Sequence, residues 1–238
     1  MMTAPLPSTK VSREVVRGVV VRFVQLGVQL VIITVILFAT AGSLRWVNGW
    51  LYLGVALAAL VLMGAWVLPR NPEVVAERAK LHKDTKGFDK VMVLMMTLTT
   101  FAVFLVAGLD ARQGWSPLGW GWWVLGGVLY LLSMVPTAAA MVANARLATT
   151  VRVESSGHAL ATGGPYRWVR HPFYAGLLLQ YPALALLLGS AWALVPAAAA
   201  IGVLVVRTWL EDRTLRRDLP GYEAYALRTR FRLIPHVW

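Results

Sequence analysis

The sequence contains no cysteine, few charges and even fewer acids. Without a thiol the chain has no disulfide, no thiolate zinc site and no covalent mechanism through cysteine. Of its 238 residues 14% are charged and 58% are hydrophobic, whereas a soluble domain carries roughly 25% charged residues. That is too little polar material to cover a water-facing surface, so the composition is that of a chain surrounded by lipid. The 11 acids are set against 23 lysines and arginines, a net charge of +12. A basic excess often marks a phosphate-bearing partner. Here the basic residues are confined to the segments between apolar runs, where control of topology accounts for them, and no nucleic-acid partner is expected.

Six apolar runs, at 23–42, 47–68, 91–109, 121–142, 173–188 and 191–209, approach the length of about 20 residues that a bilayer requires. The last two are separated by Gly189 and Ser190 alone, which predicts a tight helical hairpin. Pro136, Pro182 and Pro196 predict local bends. Successive connections are alternately basic and nearly neutral. Arg70, Arg78, Lys80 and Lys86 fill the second connection, and Arg152, Arg167 and Arg170 fill the one before the fifth run; Arg45 and Arg112 stand alone in theirs. The bias puts both termini, the 70–90 connection and the 144–171 segment in the cytoplasm. Tryptophans agree: Trp50, Trp115, Trp120 and Trp192 fall at one boundary, Trp66, Trp168 and Trp209 at the other, as indole rings at headgroup level should. Ala39-Thr40-Ala41 imitates a signal-peptidase site. The apolar run before it exceeds the usual length of about 7–15 residues, so it reads as a retained span.

Two polar regions are long enough to build a site, 144–171 and 210–238. The first holds Glu154, His158, Tyr166, Arg170 and His171; the second begins with Glu211, Asp212 and Arg213 at the end of a helix. Arg207 lies within the apolar register of the sixth run, four residues before Glu211. That spacing places the two on one helical face as natural partners. An ionisable group at that depth reads either as functional or as an arginine snorkelling to the headgroups. Asn71-Pro72-Glu73 carries the signals of a helix start, read either as a short helix on the membrane surface through Val74, Val75 and Arg78 or as a solvated loop. No metal site is expected, since His158 and His171 lack ligand spacing and the carboxylates are scattered.

The run Gly164-Pro165-Tyr166-Arg167-Trp168-Val169-Arg170-His171-Pro172-Phe173-Tyr174-Ala175-Gly176 resembles the signature of the isoprenylcysteine carboxyl methyltransferase family. Glu211-Asp212-Arg213, Gly221-Tyr222-Glu223-Ala224-Tyr225 and Arg232-Leu233-Ile234-Pro235 are similar to its C-terminal motif, with Asp212 where a second glutamate is common. The resemblance is strongest over 144–238, and the N-terminal half looks like the bacterial branch through Asn71-Pro72-Glu73 and Thr85-Lys86-Gly87. It implies an all-α polytopic membrane fold of one domain, with spans in 1–143 and the cofactor-binding and catalytic part in 144–238. It also implies S-adenosylmethionine as cofactor, in contact with Val151, His158, Ala159, Leu160, Ala161, Tyr166, His171, Pro172, Phe173, Tyr174 and Glu211. Arg207 corresponds to the arginine at the substrate end, and Arg170 is taken with it as catalytic.

The expected activity is methyl transfer to a lipidic or small hydrophobic acceptor, a carboxylate being one choice, on the cytoplasmic side of a bacterial inner membrane. A sterol-type reductase using a nicotinamide cofactor is the alternative, and a transporter or scaffold the third reading.

Overall fold

The computed structural model describes residues 12–80, 86–145, 147 and 160–238, and these residues form helices with no strand among them. Helices α1 (Arg13–Ala41), α2 (Val47–Val67), α4 (Gly87–Gln113), α5 (Trp120–Ala143) and α7 (Leu194–Asp218) are long and apolar enough to cross a membrane. Helix α3 (Pro72–Glu77) is a short turn between α2 and α4, α6 (Pro172–Leu187) precedes α7, and α8 (Tyr222–Arg228) follows it. This is an all-α polytopic membrane protein.

The ends of the helices follow their sequence signals. The Ser12 hydroxyl caps α1 by accepting from the Val15 N–H at 3.2 Å, and Gly42 closes it in the left-handed conformation. The Asn71 side chain caps α3, accepting from the Val74 N–H, with Pro72 at the first helical position. Helix α3 is more than a surface helix, since Val74, Val75 and Ala76 are buried and Gly18 of α1 lies against Ala76.

Helix α6 is shorter than a full span, 16 residues or ~24 Å of rise, because Pro172 starts it and Gly189, at φ 74°, turns the chain. It nevertheless runs from one end of the bundle to the other. The Leu118 N–H donates to the Gly189 carbonyl at 2.9 Å, and the Ala191 N–H to the Ser116 carbonyl at 3.3 Å. The buried Asp110, at the far end of α4, accepts from the Ser116 and Ser190 hydroxyls. The α6–α7 turn is therefore tied to the α4–α5 connection, opposite the end where α6 begins. Helix α6 is shielded from lipid by packing between α5 and α7. Gly126 and Gly176 let α5 and α6 approach closely, since a methyl at Gly176 would lie 2.6 Å from the Ser133 carbonyl.

Two expectations change. Pro196 bends nothing: α7 starts at Leu194, so this proline sits in the first turn, where its missing N–H has no helical partner to lose. The third apolar helix begins at Gly87, one turn earlier than its apolar run, and carries Asp89 into the packed bundle. Helix α7 is 25 residues long, ~38 Å against a hydrocarbon core of ~30 Å. Its charged end projects past the membrane and builds the site.

Candidate active site

The site forms where α6 begins and α7 emerges. The tight sequence Arg170-His171-Pro172 places a guanidinium, an imidazole and a helix start in succession. The proline fixes the first turn of α6, and the backbone N–H groups of Arg170 and His171 donate to the Phe231 and Arg232 carbonyls, each at 2.9 Å. The next turn of α6 presents Phe173 and Tyr174.

The Tyr174 hydroxyl donates to Glu211 Oε2 at 2.6 Å, joining α6 to α7. The His171 and Tyr174 rings lie parallel, 2° apart in plane and 5.8 Å between centroids; Phe173 meets Tyr174 edge-on at 6.1 Å. Tyr166, Leu160 and Ala161 pack with Phe173 in a cluster that includes Tyr222 and Tyr225. The structure thus brings together Leu160, Ala161, Tyr166, His171, Pro172, Phe173, Tyr174 and Glu211. Val151, His158 and Ala159 lie outside the described residues.

Asp212 is the electrostatic centre of this end. It accepts from Arg170 Nε at 2.7 Å and Nη2 at 3.0 Å, from Arg232 Nε at 3.0 Å and from the Tyr222 hydroxyl at 2.9 Å. Arg216 approaches it to 3.4 Å. The buried His171 Nε2 lies 3.5 Å from Asp212 Oδ1 without a hydrogen bond. Arg170 Nη1 donates to the Thr229 and Arg230 carbonyls at 2.8 Å each. With Nε and Nη2 on Asp212, this guanidinium clamps the C-terminal segment onto α7. That is a different use from the catalytic one expected of Arg170.

Arg207 is also buried and paired, but not with Glu211 as its spacing implied. Its Nε donates to Asp89 Oδ1 at 2.8 Å and its Nη2 to Asp89 Oδ2 at 3.4 Å. The guanidinium stands 5.3 Å from the centroid of the Tyr174 ring. Asp89 escaped the sequence reading because it stands outside the apolar run. The signal was an acid kept among lysines at the mouth of a span. Arg78, read only as part of a surface helix, also reaches this wall, its guanidinium 4.4 Å from the centroid of the Phe173 ring. Burial lowers its pKa to about 10, and the charge of Arg22 adds to the effect. Burial likewise raises the phenol of Tyr225 to about 12 and raises those of Tyr166 and Tyr222.

These residues fit the group that the family resemblance implies. S-adenosylmethionine combines a flat purine, a ribose with two hydroxyls, a sulfonium and an amino-acid end. Parallel aromatic faces suit the purine, electron-rich rings suit a soft cation, and a carboxylate suits hydroxyl or ammonium donors. A buried imidazole nitrogen without a hydrogen bond adds one polar group awaiting a partner.

A family model described as phospholipid methyltransferase matches residues 122–219. No curated protein matches the chain. The match starts at the beginning of α5 and ends just past α7, so it includes the clamp, the aromatic wall, Arg207 and Glu211 but not α8 or the tail. Nothing in it points to a nicotinamide-dependent reductase. Over residues 122–219 the chain is similar to the phospholipid methyltransferase family, which is related to the isoprenylcysteine carboxyl methyltransferases.

Proposed function

We propose that this protein transfers a methyl group from S-adenosylmethionine to a lipidic or small hydrophobic acceptor, at the end of the bundle where α6 begins. The observation that carries this reading is the junction of the Tyr174–Glu211 bond with the buried Arg207–Asp89 pair, because it sets a cofactor-type wall beside a membrane-embedded charge. The cofactor, when bound, supplies an activated methyl group on sulfur. Tyr166, His171, Phe173 and Tyr174 hold its flat and cationic parts, Pro172 fixes the turn that carries them, and Leu160 and Ala161 close the apolar side. Glu211 accepts from its donors, oriented by the Tyr174 hydroxyl. The family resemblance adds Val151, His158 and Ala159, which lie outside the described residues, to this set.

Arg207 orients the polar end of the acceptor while the acceptor's apolar part stays in the membrane. An acceptor carboxylate is already ionised at neutral pH, so it needs alignment rather than a strong base, and alignment alone can supply several kcal/mol. Asp89 keeps the guanidinium plane fixed for this task. The basic connections assign the site to the cytoplasmic face, where the water-soluble cofactor enters, in a bacterial inner membrane.

Titration calorimetry of detergent-purified protein tests the reading. S-adenosylmethionine and S-adenosylhomocysteine should both bind and nicotinamide nucleotides should not. Purified protein mixed with a membrane lipid extract should move a labelled methyl group into the organic phase. Nicotinamide binding without an S-adenosyl signal would overturn the proposal.

A further inference from the structure

Asn71, at the head of the Asn71-Pro72-Glu73 motif, does more than start a helix. It is buried, and its side-chain amide is used at both ends. The oxygen accepts from the Val74 N–H and caps α3. The nitrogen reaches across to α5, donating to the Met141 carbonyl at 2.9 Å and to the Val142 carbonyl at 3.3 Å. Those two carbonyls stand in the last turn of α5, where the helix itself supplies no donor. One side chain therefore closes the start of one helix and the end of another. Serine or aspartate caps a helix about as well as asparagine does, but neither carries the NH2 group that α5 takes.

Each of the two helices so joined leads to an aromatic residue of the site. From α3 the chain passes to Arg78, whose guanidinium lies 4.4 Å from the centroid of the Phe173 ring. From α5 it passes to Asn144, whose amide donates to the Tyr166 hydroxyl at 3.4 Å. Apolar side chains make the same connection. Phe173 and Leu147 pack both against the cluster of Val74, Val75 and Met141 and against the cluster of Tyr166, Tyr222 and Tyr225. At its other end α3 is held by α1, since Arg22 donates to the Arg78 carbonyl at 3.4 Å and Gln25 to the Ala79 carbonyl at 3.1 Å. A helix of 6 residues has little stability of its own, so these ties decide where it sits.

We infer that Asn71 is a positioning residue of the methyl-transfer site. It fixes α3 against the end of α5 and thereby sets the separation of Phe173 and Tyr166, two of the rings that hold the cofactor. It acts through those rings and not by contact with the cofactor. The inference rests on the methyl-transfer reading, and it adds to that site a residue of the N-terminal half, outside the 122–219 region of family similarity.

Titration of full-length, detergent-purified protein with S-adenosylhomocysteine tests this, because calorimetry reads the binding-competent fraction and the affinity separately. Asn71→Ser keeps a cap for α3 and removes the donors to α5. Its dissociation constant should rise roughly tenfold, the scale of one lost hydrogen bond, with the competent fraction unchanged. Gln25→Leu loosens only the far end of α3 and should raise the constant by about two- to threefold. A purely structural role gives the opposite pattern, a smaller competent fraction that binds with wild-type affinity. That pattern in folded Asn71→Ser overturns the inference. Should Asn71→Ser yield no folded protein, Gln25→Leu decides, and unchanged affinity there overturns it too. Wild-type protein that binds no S-adenosylhomocysteine would overturn the methyl-transfer reading itself, a result distinct from wild-type binding that both variants retain.

Discussion

In the Arg170–Asp212 pair both partners come from the same end of the sequence and the carboxylate is shared, with Arg232, Arg216 and Tyr222 also turned to it. In the Arg207–Asp89 pair the partners are 118 residues apart and join the two halves of the chain. Both carboxylates are buried and each meets its arginine through both oxygens. The difference lies in what surrounds them. The first pair holds backbone: Arg170 donates to two carbonyls of the C-terminal segment as well as to Asp212. The second holds a cation beside an aromatic ring at the membrane end of the aromatic wall. Desolvating an ion pair costs as much as its attraction returns unless hydrogen bonds complete it. The first is completed by the backbone of the C-terminal segment, and the second stands beside the Tyr174 ring.

The largest effect should come from breaking the shared carboxylate. Asp212→Asn leaves three arginines facing a neutral amide. Removing one partner of a buried pair costs about 3–5 kcal/mol, which corresponds to a fall in Tm of roughly 10 °C for a chain of this size. Thermal unfolding in detergent measures the fall, and trypsin should begin to cut after Arg230 and Arg232 as the tail loosens. A variant with an intact tail and an unchanged Tm would show that the clamp is ornamental.

Arg207→Lys should behave differently. A lysine keeps the charge and can still meet Asp89, so Tm and S-adenosylhomocysteine affinity should hardly move. The planar fork is lost, and misplacing a reacting group by an ångström can cost about a hundredfold in rate. The check is turnover measured beside cofactor affinity. Equal turnover would make Arg207 an anchor and leave the two pairs alike.

Much of this was legible in the sequence, and the part that was not has one cause. Run length, caps and turn residues are local properties. The apolar helices, the Asn71-Pro72 start of α3 and the Gly189-Ser190 hairpin could therefore be read directly. The family signature likewise marked Tyr174 and Glu211, which the fold joins. The partners of Arg207 and Arg170 were not legible, because they are set by how α4, α7 and the tail pack. Spacing of four residues proposed Glu211 for Arg207; packing supplied Asp89, while Glu211 took the Tyr174 hydroxyl.

The tyrosines around the shared carboxylate give a smaller, pH-dependent contrast. Burial raises Tyr225 from 10.0 to about 12, so in the unfolded chain this phenol ionises first. Below pH ~10 its contribution to stability is complete, and between ~10 and ~12 it is lost as the unfolded state gives up its proton. Tyr222, which donates to Asp212, is raised in the same direction. Tm should therefore fall through that window, with tyrosinate absorbance appearing as the cap opens. Tyr222→Phe and Tyr225→Phe together should flatten the fall. If they leave it unchanged, the alkaline transition belongs elsewhere in the molecule.

The smallest effect is expected at the hinge between the two pairs, the Tyr174 hydroxyl. Tyr174→Phe keeps the ring that stands beside Arg207 and parallel to His171, and removes only the donor to Glu211. Because Glu211 is at the edge of the site and half-exposed, water can replace the lost donor, and stability should change little. The carboxylate would then be free to rotate away from its present orientation. A hydrogen bond to a charged group is worth about 1.5–3 kcal/mol, and a water-compensated loss falls at or below the lower end. Calorimetry should therefore show S-adenosylhomocysteine binding weakened by about tenfold at most, with Tm unaltered. If affinity stays the same while turnover falls, Tyr174 serves Arg207 rather than Glu211, and the aromatic wall belongs to the acceptor. If both stay the same, the hydroxyl is a tie between α6 and α7 alone, and the orientation of Glu211 must come from the cofactor's own donors.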